Sequence, residues 1–197
     1  MFRATDRLYL LGDTIDRGPR SKGVLDTIRR LQADGCSVTS VRGNHEEMLL
    51  KSCLDRNFFH LWMMNGGFDT LRSFGVEDAC ELPISYRNLL ESFPCFIELD
   101  DFILVHAGLN FAIPDPLTDR EAMLWNREHL VLREKIGGKR LIGGHTPQNR
   151  DKVRRSLAGD HILLDNGCVY KGEKGLGSLA ALELPTMELY FQENIDM

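Results

Sequence analysis

Residues 7–13, RLYLLGD, form an apolar run that stops at a glycine and a carboxylate, and this stop constrains the fold more than any other feature of the chain. A continuous apolar run of that length reads as a strand buried on both faces. Pro19 then opens RSKGVLDTIRRLQADG, where Val24, Leu25, Ile28 and Leu31 recur at helical spacing and Gly35 marks the stop. CSVTSVR (36–42) is β-branched and ends at Gly43, and NHEEMLLKSCL returns to helical spacing. Strand, helix, strand, helix in close succession predicts an α/β unit around a mostly parallel sheet.

The rest of the chain is more mixed. Residues 56–75 predict one or two short helices broken at Gly66-Gly67, and 84–93 predict another helix. CFIELDDFILVHAG reads as two strands about an Asp100-Asp101 turn, a hairpin. Residues 119–135 read as mainly helical and 139–147 as a strand ending in glycines. HILLDNG, GSLAALEL and TMELYFQ read as three more strands, the last two paired across Pro185. A late chain so rich in strands favours a sandwich of two mixed β-sheets flanked by helices over a plain doubly wound sheet.

At 197 residues and 43% hydrophobic, the chain supports one good-sized core, so 1–197 is expected to be a single domain. A net charge of −5 argues against general affinity for nucleic acid or anionic membrane. RDKVRR at 150–155 reads as a solvated face. No apolar run reaches the ~18 residues of a membrane span, and MFRATDR lacks the apolar core of a signal peptide. Cys36, Cys53, Cys80, Cys95 and Cys168 are scattered, with no CxxC pair. That pattern predicts reduced thiols and a cytoplasmic location.

Four predicted strand ends carry the same cargo: GDTIDRG (12–18), RGNHEE (42–47), VHAGL (105–109) and GGHTP (143–147). Each sets an Asp, Asn or His beside a glycine just after an apolar run, and ligands in α/β sheets bind at the carboxyl ends of strands. Together Asp13, Asn44, His106 and His145 make a mixed oxygen and nitrogen ligand set. It suits Mn²⁺, Fe²⁺ or Zn²⁺ better than Ca²⁺, which prefers oxygen cages. One such end alone would read as a turn; four in one short chain point to a metal site.

The ordered motifs GDTIDRG, GNHE, HAG and GGHTP resemble the phosphoprotein phosphatases, bacterial Ser/Thr phosphatases above all, within the calcineurin-like metallophosphoesterases. The resemblance implies two divalent metals, with Asp13 bridging them and Asn44, His106 and His145 completing the second metal's shell. It implies that His45 is the general acid, oriented by Asp16, and that Arg17, with Arg127 of LWNRE, grips the phosphate. The implied substrates are phosphoproteins or small phosphate esters. Plainer readings stand beside these: an Asp16–Arg17 pair at a turn, Arg127 on a helix surface, and Glu46 and Glu47 as charges favourable at a helix N-terminus. His60, His129 and His161 read as structural or exposed, and Trp62, Met63 and Met64 as core or a pocket wall.

One departure bears on activity. The family resembled opens with a strand ending in Asp-x-His-Gly and a following helix, and the twelve residues before Asp13 contain no histidine. The first metal site is therefore expected to be incomplete, the chain N-terminally short, and residues 8–12 an exposed strand edge open to self-association. Three accounts follow: a shortened product, a strand supplied by another copy or another protein, or a degenerate form that binds phosphate without catalysing. A symmetrical diadenosine tetraphosphate hydrolase is the alternative enzyme. Those relatives carry GDxxARG at the first motif, and Asp16 argues against them.

Overall fold

A computed structural model describes residues 5–196 of the protein. Residues 1–4, part of the stretch read as lacking a signal-peptide core, lie outside the described residues. The chain divides into two compact units, Met1–Pro94 and Cys95–Met197.

In the first unit β1 (Arg7–Leu10) and β2 (Ser37–Ser40) pair in parallel, with Leu10 opposite Ser40. The intervening α1 (Ser21–Ala33) buries Leu25 and Ile28, three positions apart on one face. Its chain leaves through Gly35 at a φ of 81°, a conformation glycine adopts without a Cβ penalty. Next come α2 (Asn44–Ser52), α3 (Arg56–Trp62), a wide turn at Met63–Gly67, α4 (Phe68–Phe74) and α5 (Ile84–Glu91). The helix break expected at Gly66-Gly67 is this turn. Ile15, Leu25, Val38, Met48, Leu49, Trp62, Leu71 and Leu90 lie in the unit's apolar core.

The second unit holds a four-stranded sheet in the order β3-β4-β5-β6, formed by Phe96–Glu98, Phe102–Val105, Arg140–Gly143 and His161–Leu163. β3 and β4 are antiparallel, the predicted hairpin, and β4, β5 and β6 run in parallel. β7 (Ser178–Glu183) and β8 (Glu188–Glu193) form a separate antiparallel pair, as the Pro185 turn predicts. Ile103, Val105, Leu109, Met123 and Leu141 lie in the core of this unit.

The helix expected over 119–135 is much shorter. Only α6 (Arg120–Trp125) forms, with Asp119 accepting from the Ala122 amide at 3.0 Å as its N-cap. At Asn126 the chain turns extended, because that side chain donates to the Leu109 carbonyl at 2.8 Å and accepts from the Glu128 amide at 2.9 Å. RDKVRR, read as a solvated face, falls in a helix, α7 (Arg150–Ser156), capped by Asn149 and anchored by buried Val153. Among the described residues no helix is long and apolar enough to cross a membrane.

Candidate metal and phosphate site

The first unit gathers five of the predicted residues at two parallel strand ends. The β1–β2 register, continued past Leu10 and Ser40, sets Asp13 opposite Gly43, and a Cβ on Gly43 would lie 2.2 Å from Asp13 Oδ1. Only glycine permits so close an approach. Asn44 and His45, both buried, then begin α2.

Asp13, Asp16 and Arg17 stand at φ values of 52°, 70° and 59°. For residues with a Cβ this left-handed conformation is strained, and such strain clusters at functional sites. Glu46, fully buried, holds the loop there: its carboxylate accepts from the amides of Asp13 (2.9 Å), Thr14 (2.6 Å) and Gly43 (2.8 Å) and from the Thr14 hydroxyl (2.9 Å). Left out of the site in the sequence reading, Glu46 is its principal anchor.

His45 sits within this frame. Its Nδ1 lies 2.6 Å from Asp16 Oδ2, its Nε2 3.9 Å from Asp13 Oδ2, and its amide donates to Asp13 Oδ1 at 3.3 Å. A carboxylate can only accept, so Nδ1 carries the proton in that bond. Burial works against charge on the ring, but the Asp16 hydrogen bond and the Asp13 and Asp16 charges outweigh it, with Arg17 opposing them. The net result is a pKa above the usual imidazole value. Asp16 is itself 7% exposed, and among the ion pairs of the described residues it pairs with His45 rather than with Arg17. Arg17 is exposed, and its Nε donates to the Asn65 carbonyl at 3.2 Å.

The second unit brings together His106 and His145. They follow β4 and β5, whose parallel register sets Leu104 opposite Ile142, and the Gly144 amide donates to the His106 carbonyl at 2.7 Å. His145 turns at a φ of 65°. His106 Nε2 and His145 Nδ1 approach to 3.1 Å. Two imidazole nitrogens bound to one ion at Zn-like distances lie about 3.0–3.4 Å apart, between octahedral and tetrahedral angles. The pair therefore fits a borderline divalent ion, which a mixed imidazole, carboxylate and amide donor set also favours. Trp125 meets His145 edge-on, with ring centroids 6.1 Å apart. Arg127 lies exposed on the extended segment after α6 rather than on a helix.

The sequence reading also missed Trp62 and Thr70, whose side chains reach the Asp16 carboxylate from 46 and 54 residues away. No local spacing carries such a contact.

The calcineurin-like phosphoesterase family model matches residues 2–181. Serine/threonine-protein phosphatase 1 of Salmonella typhimurium is 31% identical over 182 residues, covering 88% of this chain and 79% of its own length. The asymmetrical bis(5'-nucleosyl)-tetraphosphatase of Anoxybacillus flavithermus is 26% identical over 201 residues, covering 92% of this chain and 77% of its own. Among solved structures, a metallophosphoesterase from Sphaerobacter thermophilus matches with a TM-score of 0.53 and 19% identity, over 98% of this chain and 79% of that one. That last likeness is one of fold.

Proposed function

The chain belongs to the calcineurin-like phosphoesterase family and is a phosphoester hydrolase, and on that premise we propose that it removes phosphate from phosphoserine or phosphothreonine in proteins. The observation that carries the reading is the His45–Asp16 pair, 2.6 Å apart and beside Asp13. The similarity to the Salmonella protein phosphatase supports the substrate class.

Members of the family bind divalent metals. In this proposal Asp13, Asn44, His106 and His145 would hold one ion, Asp13 would be shared with a second whose other ligands are incomplete, and Mn²⁺ is the ion expected, with Fe or Zn as alternatives. When bound, two divalent ions supply Lewis-acid charge and lower the pKa of a water toward about 7.

The chain's own groups do the rest. Arg17 and Arg127 bind the phosphate oxygens through planar guanidinium forks that match them in pairs. His45, protonated through its bond to Asp16, gives a proton from Nε2 to the departing alkoxide, and Asp16 keeps the ring in one orientation. Residues 1–197 act as one catalytic domain in this reading, which the span of the family match supports.

A cytoplasmic location accords with five free cysteines. Self-association through β1 accords with its pairing to β2 alone among the described residues.

The Anoxybacillus relative favours a second reading, hydrolysis of a dinucleoside tetraphosphate. A phosphoserine peptide and diadenosine tetraphosphate, offered side by side with Mn²⁺, separate the two. Faster turnover of the peptide is expected, and hydrolysis of the dinucleotide alone would overturn the protein-phosphatase reading.

A further inference from the structure

Trp62 has no exposed surface, yet its one polar atom is aimed at the candidate site. The indole N–H donates at 2.8 Å to Asp16 Oδ2, the same oxygen that lies 2.6 Å from His45 Nδ1. Thr70, also fully buried, donates its hydroxyl to Asp16 Oδ1 at 2.6 Å and accepts from the Asp16 amide at 2.9 Å. Both carboxylate oxygens are thus held by a neutral donor in addition to the His45 contact. A carboxylate bonded to His45 alone could swing about its side-chain torsions. One held at both oxygens cannot, and it fixes the plane of the imidazole it meets.

The backbone makes the arrangement rigid. Trp62 ends α3, Thr70 lies in α4, and the Met63–Gly67 turn joins them. A Cβ on Gly67 would lie 2.5 Å from the indole ring, so the turn packs directly on Trp62. The same turn reaches Arg17, whose amide donates to the Gly66 carbonyl at 3.4 Å and whose Nε donates to the Asn65 carbonyl. Residues 62–70 therefore hold Asp16 and Arg17 together.

We propose that Trp62 and Thr70 are positioning residues for proton donation, locking the Asp16 carboxylate so that His45 presents Nε2 in one direction. The inference rests on the reading of His45 as general acid, and it predicts a dependence on leaving group. A misaligned acid matters most when the departing oxygen needs its proton, so phenyl phosphate suffers more than p-nitrophenyl phosphate.

The experiment compares wild type, Trp62→Phe, Thr70→Val and Thr70→Ser on both esters with Mn²⁺, with thermal melts to verify folding. For Trp62→Phe and Thr70→Val the expected result is a loss in kcat of about tenfold on phenyl phosphate, a smaller loss on p-nitrophenyl phosphate and little change in KM. Thr70→Ser restores the rate, and Trp62→Phe adds nothing in a His45→Ala background. Equal losses on both esters, or additive losses with His45→Ala, would overturn the positioning role while leaving the hydrolase intact. If His45→Ala itself shows no leaving-group dependence, it is the general-acid reading that fails.

A second readout needs no turnover. The chain has two tryptophans, so its ¹⁵N–¹H spectrum has two indole signals. Asp16→Asn is expected to move the signal that Trp62→Phe deletes and leave the other in place. An unmoved Trp62 signal would show that the contact is absent in solution.

Discussion

Two buried histidines, one in each unit, face opposite surroundings. His45 lies against the carboxylates of Asp16 and Asp13, and its pKa is raised despite burial. His161 on β6 is nearly as deep, at 8% exposed against 2%. Burial first, and then the His129 charge, push its pKa down to about 4. Depth is similar and outcome is opposite, so the neighbouring carboxylates decide the direction of the shift. The first unit uses buried polar groups to hold one loop under strain, whereas the second sets His161 on a buried strand with its ring edge-on to His129, centroids 5.6 Å apart. The surroundings of one imidazole favour its protonated form and those of the other its neutral form.

The comparison breaks most visibly at Glu46. Truncating it as Glu46→Ala takes the Glu46 acceptor from three amides, that of Gly43 buried and those of Asp13 and Thr14 half-buried, and from a hydroxyl. Loss of such an acceptor costs about 3–5 kcal/mol. A denaturant titration is expected to show this loss together with loss of activity, since the strained turn at Asp13 would relax. Unchanged stability would mean that the loop is held by something else.

Acid separates the histidines next. In the unfolded chain His161 protonates near pH 6.5, but in the folded chain only near pH 4. Between those values the unfolded state binds more protons. His161 therefore leaves stability intact above about pH 6.5 and erodes it as pH falls, by about 3 kcal/mol in all near pH 4. For His45 the sign reverses: its contribution is present below pH 6.5 and lost as pH rises through the elevated folded value. Unfolding measured across pH 4–7 is expected to show a shallower acid slope for His161→Leu than for wild type. Parallel slopes would remove His161 from the account.

Most of the fold was legible because its signals are local. β1, α1, β2 and α2 follow from apolar period and glycine stops, and the β3–β4 and β7–β8 pairs from their turns. The Asp, Asn and His side chains proposed as ligands were legible at four strand ends for the same reason. Contacts across long stretches of sequence were not. Glu46 looks like an ordinary charge at a helix N-terminus until its oxygens are seen on loop amides 32 and 33 residues away. Trp62 reads as core, and it is core, but its N–H partner cannot be inferred from spacing. The over-long helix at 119–135 fails because Asn126 prefers the backbone groups of Leu109 and Glu128 to a continued helix, which local propensity does not reveal.

The central proposal is a metal-dependent phosphoester hydrolysis that needs Asp13 and His145. The most direct measurement is Mn²⁺-dependent turnover of p-nitrophenyl phosphate by wild type, Asp13→Asn and His145→Ala, with bound manganese determined for each. The account predicts that both substitutions lower bound metal and reduce turnover by at least about 100-fold. Turnover and metal content that survive both substitutions would contradict it.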